Sequence, residues 1–338
     1  MDQTKYIVLY ESCQLTKGIS RTLLQDSQRN TIEFLDNEIY TILTTQSKTH
    51  TIEQILKEFE DEKKEIISEY FEFLLEKEYV FLCEAAELDF FPEINKTWDH
   101  PSVITNSIID LDRVPSNLNA YNIFINDLDT LGCENLQIRD FTGLPLDIIR
   151  SILKFTENTG IFRIELILKY SVYFEIYETL LNDFPRINEL VIHSFPETNQ
   201  APEKTSTRML ITHQNMTDAS CCGVISAKYF NLDFNHFLES YNYNSCLNRK
   251  IGVDVNGYIK NCPSMRENYG SIHNERITDI VGQDKFKKAG DLKKNLIEDC
   301  QVCEFRHICT DCRAFLESDT SLKKPAKCSY DPYQMIWS

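Results

Sequence analysis

The chain has 338 residues, 42% of them hydrophobic, and a formal net charge of −17, a size that suits two or three domains with ordinary cores. Its longest apolar runs, residues 6–10 and 166–168, fall far short of the ~20 residues of a membrane helix, and the opening Met-Asp-Gln-Thr-Lys lacks the basic and apolar regions of a secretory signal. Residues 1–90 alone carry 9 Lys/Arg against 19 Asp/Glu, which argues against a duplex nucleic-acid binder, since that must neutralise phosphates. The chain therefore reads as cytoplasmic, with neither membrane nor nucleic acid as a partner.

In chain order, the first zone, residues 1–90, opens with a β-rich segment at 6–10. Lys17-Gly18 marks a turn, and short strands are expected over residues 20–26 and 30–35 around the turn Ser27-Gln28-Arg29-Asn30. Helical patterns follow over residues 36–44, 51–59 and 62–77. The second has Thr51 as N-cap, Gln54 three residues on, and Ile52, Ile55, Leu56 and Phe59 at helical spacing. Residues 79–83 read as a closing strand. Strands, three helices and a wing together suggest a winged-helix-like unit. A linker with Phe91-Pro92 and His100-Pro101 follows.

The second zone, residues 102–230, alternates strands and helices. Strands are expected over 103–111, 136–141, 162–170, 189–195 and 209–213, and helices over 120–131, 146–156 and 171–184. Repeated βα units imply a parallel sheet, and so few strands imply a partial barrel. The fold class is α/β. Asp110 and Asp112 fall near the end of the first strand, as substrate ligands or as a solvated loop. No Ser/His/Asp order, phosphate-cradling glycine loop or H-E-x-x-H motif is present, so no catalytic residue is assigned.

The third zone, residues 231–338, is polar and cysteine-rich, with too little apolar content to fold without metal. Seven of the 12 cysteines fall in the last 93 residues, and in a reducing compartment clustered cysteines bind metal rather than pair as disulfides. Cys300-x2-Cys303 and Cys309-x2-Cys312 stand five residues apart, Cys246 and Cys262 lie upstream with Gly257 at a hairpin position, and Cys328 lies downstream. Zinc ribbons separate two such pairs by a longer loop, and seven thiolates exceed one tetrahedral site, which favours iron–sulfur over zinc. His307, between Cys303 and Cys309, reads as a ligand or, by preference, as a solvated or supporting residue.

The pattern Cys246-x10-Gly257-x4-Cys262, Cys300-x2-Cys303-x5-Cys309-x2-Cys312, then Cys328, with Tyr269-Gly270-Ser271-Ile272 between, resembles the SPASM domain. This is the auxiliary-cluster module of radical-SAM enzymes that mature peptides and proteins. Members usually have three residues where this chain has two between Cys309 and Cys312. The resemblance implies two [4Fe–4S] clusters, one on Cys246, Cys262 and Cys312 and the other on Cys300, Cys303, Cys309 and Cys328. The first then lacks a fourth thiolate, which Cys222 or Cys221 supplies unless the site is open.

Radical-SAM barrels carry C-x3-C-x2-C after the first strand, but here that loop reads Asp112-Arg113-Val114-Pro115-Ser116-Asn117. Thr142-Gly143-Leu144-Pro145 resembles the Gly-Gly-Glu-Pro loop, with Leu144 where a cofactor-binding glutamate stands. The implication is a degenerate barrel without S-adenosylmethionine. Residues 6–10 followed by Cys13-x3-Lys17-Gly18-x2-Arg21 resemble the winged helix that captures a leader peptide as an added strand, expected here along residues 20–26 or a neighbouring edge. The whole chain resembles the SPASM-domain peptide maturase of grasp-with-spasm systems. This implies an accessory protein that binds a precursor peptide and acts with an ATP-grasp ligase. The alternatives are a redox enzyme using an open auxiliary iron on the peptide, and a zinc-stabilised adaptor.

Overall fold

A computed structural model of the chain describes residues 1–172, 175–198, 206–317 and 322–338. At the N-terminus, β1 (Tyr6–Leu9) is followed by an antiparallel sheet of β2 (Cys13–Lys17), β3 (Thr22–Asp26) and β4 (Thr31–Leu35), in that order. The β3–β4 turn forms where expected: Asp26 Oδ1 accepts from the amides of Gln28 (2.9 Å) and Arg29 (3.1 Å), and Asn30 takes a positive φ of 57°. One expectation is corrected. The segment at 20–26 offers no edge to a peptide, because Cys13–Lys17 forms a strand of its own and leaves β3 paired on both sides. The outer edge belongs to β4, where the register turns the backbone groups of Ile32 and Phe34 away from β3.

Three helices cover one face of this sheet. Helix α1 (Asn37–Thr41) continues through a π-helical turn at Ile42–Gln46, and α2 (Ile52–Lys57) and α3 (Asp61–Glu76) follow. Both halves of the expected capping box form on α2, since the Thr51 amide donates to Gln54 Oε1 (2.8 Å) and the Gln54 amide to Thr51 Oγ1 (3.3 Å). On α3 the buried stripe is Ile67, Phe71 and Leu74, while Ile66 is exposed. β5 (Val80–Cys83) closes the unit against β1.

The middle of the chain delivers the expected alternation: β6 (Asn106–Leu111), α4 (Leu118–Thr130), β7 (Asn135–Asp140), α5 (Leu146–Lys154), β8 (Arg163–Lys169), α6 (Glu175–Asp183), β9 (Ile187–His193) and β10 (Met209–Ile211). Residues 173 and 174 of the helix expected over 171–184 lie outside the described residues. After α7 (Phe234–Asn242), β11 (Lys250–Val253) and β12 (Ile259–Lys260) join the same sheet. The order is β10-β9-β8-β7-β6-β11-β12, with every pair parallel except β11–β12. The fold is thus mixed α/β around a seven-stranded, mostly parallel sheet.

From β6 to β10 each strand adds one place in the same direction, so right-handed crossovers put α4, α5 and α6 on one face. Strand alternation then sorts the side chains. Ile109, Ile138, Leu166 and Ile192 lie in the apolar core with Phe124 and Leu180 of the helices. The opposite phase carries Asp110, Gln137, Arg139, Glu165 and Lys169, making the other face polar.

The cysteine-rich segment contains α8 (Ile277–Ile280), α9 (Asp284–Asp291), β13 (Tyr330–Asp331) and β14 (Ile336–Trp337). It packs on the free face of the N-terminal sheet, where Leu23 meets Phe305, Ile308 and Tyr330. Arg21 Nε binds Glu304 at 2.8 Å, the Ile19 amide donates to the Val302 carbonyl at 2.8 Å, and Arg306 Nη1 donates to the Lys17 carbonyl at 2.6 Å. The first and third zones are therefore bound to one another. Among the described residues, no helix is long and apolar enough to cross a membrane.

Candidate metal centre

The C-x2-C spacing acts through tight turns. The Cys303 amide donates to the Cys300 carbonyl (3.1 Å) and the Cys309 amide to the Phe305 carbonyl (3.0 Å), curling the segment back on itself. Cys328 arrives from the far side of a loop, held by an isolated parallel bridge to Ile225. As a result Cys300, Cys303, Cys309 and Cys328 line one cavity, with Lys294 and Asp311 in its wall. Burial pushes the Cys303 thiol up to about 12 and the Cys309 thiol up to about 11, and raises those of Cys300 and Cys328 as well. Such thiols ionise only when a cationic centre compensates them, so metal binding here is coupled to proton release. Lys294 is buried and its Nζ donates to the Cys309 carbonyl.

The other cysteines form a second set. β11 and β12 make the expected hairpin: Gly257 adopts φ 81°, and the Asp254 carboxylate accepts from the amides of Asn256 (2.9 Å) and Tyr258 (3.0 Å). This hairpin delivers Cys262, whose neighbour Pro263 lies against Gly252, so close that a Cβ there would sit 2.7 Å from Pro263 Cδ. Cys246 is positioned by Asn244 Oδ1, which accepts its amide at 3.0 Å. Burial lifts the Cys246 thiol to about 12, and the charges of Cys262, Cys312 and Cys222 oppose its ionisation further, with Lys250 working the other way. Burial disfavours the Lys250 ammonium, yet Cys246, Cys262 and Cys222 together hold its pKa above the ordinary value. Each set thus has one lysine beside it, Lys294 buried and Lys250 partly buried.

The remaining candidates are corrected or relocated. Asp110 is not in a solvated loop but pairs with Arg139 through two hydrogen bonds, 2.6 and 2.8 Å, on the polar face of the sheet, both side chains buried. Asp254 and Lys260 pair beside them at 2.8 Å. Asp112 binds the neighbouring Arg113 at 2.7 Å. His307 is buried rather than solvated, packed between Phe237 and Tyr241 at ring distances of 5.3 and 5.2 Å, and burial holds its pKa well below the ordinary value. In the loop at 142–145, Asp140 supplies a carboxylate, which accepts from the amides of Thr142 (3.0 Å), Gly143 (3.1 Å) and Leu144 (2.7 Å). Leu144 itself packs on the apolar core. Arg139, Lys250 and Lys294 went unnoticed in the sequence, although the strand phase of Arg139, opposite to Ile138, pointed to the polar face.

The donor set can be tested against its possible occupants. A tetrahedral zinc draws four sulfurs to about 2.3 Å from one point, whereas a [4Fe–4S] cluster takes one thiolate on each of four irons, so its sulfurs stand around a volume. Four cysteines line one cavity, beside Asp299 and Asp311. A donor set of four thiolates in one cavity suits a cluster.

No family model matches the chain, and no curated protein matches it. Among solved structures it is similar to SuiB of Streptococcus suis in a crystal structure bound to S-adenosylmethionine, with 12% identity over 94% of this chain and 98% of that one. The TM-score is 0.33, and a superposition so loose carries no argument about fold or chemistry.

Proposed function

We propose that this chain is an iron–sulfur protein with two [4Fe–4S] clusters, acting as a maturation partner for a ribosomally made precursor peptide alongside an ATP-grasp ligase. It works in the reducing cytoplasm, without radical-SAM chemistry. The observation that carries the iron–sulfur part is the cavity ringed by Cys300, Cys303, Cys309 and Cys328, with buried Lys294 in its wall. Cys246, Cys262 and Cys312 ligate the other cluster. When bound, such clusters supply one-electron chemistry and cross-links that hold the segment folded. The protein's own contribution is partial burial, which limits water at the sulfurs, and two lysine charges that offset those of the thiolates.

The peptide part rests on the resemblance of the N-terminal zone and on the edge of β4. There Ile32 and Phe34 present backbone donors and acceptors to an added strand. Because the other face of that sheet lies on the cysteine-rich segment, a peptide seated on β4 is held close to the cluster domain.

The test is anaerobic reconstitution followed by iron, sulfide and zinc analysis. About eight irons per chain are expected, falling to about four in Cys303→Ala with loosening of the C-terminal segment, because thiolate–metal bonds are folding energy. Stoichiometric zinc with no iron overturns the reading in favour of a zinc-stabilised adaptor.

A further inference from the structure

The set around Cys246, Cys262 and Cys312 has three evident thiolates, and the adjacent Cys221 and Cys222 compete to be the fourth. The local backbone separates them. Residues Ala219–Cys221 form a 3-10 turn capped by Asp218, whose Oδ1 accepts the Ser220 amide at 2.7 Å, and Cys222 then leaves it in an extended conformation with φ −83° and ψ 170°. Gly223 follows at φ 81°, and it lies against Cys312: a Cβ there would sit 2.7 Å from Cys312 Sγ and 2.8 Å from the Phe315 ring.

The segment is tied on two further sides. Ser264 Oγ, two residues after Cys262, donates to the Ala219 carbonyl at 3.4 Å, and Lys327 Nζ donates to the Cys222 carbonyl at 2.7 Å. Cys222 is thus set between the chain that brings Cys262 and the chain that brings Cys312. Cys221 ends the 3-10 turn while Cys222 belongs to the extended chain that runs on to Gly223, so Cys222 is the cysteine next to the contact with Cys312. Cys262 and Cys312 are buried and Cys222 is exposed, which puts it on the solvent side of the set.

We propose that Cys222 is the fourth thiolate of this set, closing it toward solvent, so that neither cluster has an iron position open to substrate. The inference rests on the iron–sulfur reading above and deepens it. A cluster with four thiolates stores and passes electrons but does not bind a peptide group at iron, so the closed set removes the basis for redox catalysis at an open auxiliary iron.

The test uses the full-length protein, reconstituted anaerobically as wild type, Cys221→Ala, Cys222→Ala and Cys222→Ser, with folding checked by circular dichroism. Wild type and Cys221→Ala should hold about eight irons, give the same electron paramagnetic resonance spectrum, and show no hyperfine coupling to added [13C]cyanide. Cys222→Ala should alter the signal of one cluster and let cyanide couple to it. Cys222→Ser, in which a hydroxyl replaces the thiol, should alter the signal with smaller iron loss. Cyanide coupling in the wild type, or a Cys222→Ala spectrum like that of wild type, overturns the assignment, as does a Cys221→Ala protein that alone loses the cluster. Wild type without iron would instead defeat the parent reading.

Discussion

Asp110→Asn is the sharpest probe of the polar sheet face. Asp110 and Arg139 stand opposite each other in the register of β6 and β7, and the guanidinium donates two hydrogen bonds, of 2.6 and 2.8 Å, to the carboxylate. Their side chains are 2% and 5% exposed. The asparagine keeps the shape, but it removes the only direct counter-charge of the guanidinium among the described residues and turns an amide N–H₂ toward an N–H donor. Removing one partner of a buried pair costs about 3–5 kcal/mol, a large share of the 5–15 kcal/mol that typically separates folded from unfolded chains. The charges of Cys262 and Cys222 also bear on Arg139, so the cost should fall at the lower end of that range when those sulfurs are ionised. Replacing both residues, as Asp110→Leu with Arg139→Met, leaves no orphaned charge and should cost about 1 kcal/mol or less. Urea unfolding of the loaded protein measures the changes, with amide exchange at Ile109 and Ile138 confirming that they arise in β6 and β7. A single-variant cost under about 1 kcal/mol, or a double variant as damaged as Asp110→Asn, refutes the reasoning.

Burial raises the Glu239 carboxyl to about 7, against the downward pull of its bond with Asn248 and the charges of Arg249 and Lys250. The folded chain therefore keeps a proton that the unfolded chain loses, and stability falls as pH rises from about 4.5 through about 7. Glu239→Gln retains the acceptor for Asn248 Nδ2 and should gain on the order of 3 kcal/mol at pH 8 and nothing at pH 4; equal denaturation midpoints for variant and wild type at pH 8 would contradict this. Addition of the precursor leader should slow amide exchange at Ile32 and Phe34 on the β4 edge, and unchanged protection there removes the strand-addition mode. Reduced, reconstituted protein given S-adenosylmethionine should release no 5′-deoxyadenosine above a protein-free control, since the loop at 112–117 has no cysteine and the Asp140 carboxylate is spent on its own backbone. Formation that depends on Cys246 or Cys262 would revive the redox-enzyme alternative.

Features written into short stretches of sequence were legible without the structure. The alternation of strands and helices through the middle of the chain, the Thr51–Gln54 capping box and the Gly257 hairpin all follow from spacings of two to four residues, which local backbone geometry enforces. What remained hidden depends on which distant segments share buried surface. Cys13–Lys17 becomes a strand because β3 has a partnerless edge to satisfy, and that pairing moved the exposed edge from residues 20–26 to β4. Lys250–Val253 joins the sheet beside β6 through contacts spanning more than a hundred residues of sequence, and with it came Lys250 and Cys262. The contact of Gly223 with Cys312, on which the proposed role of Cys222 rests, likewise joins segments that are far apart in sequence. Periodicity and turn chemistry act within a few residues, whereas strand neighbours, buried ion pairs and ligand sets are chosen by the collective need to bury apolar surface and satisfy every enclosed polar group, which only the assembled fold can settle.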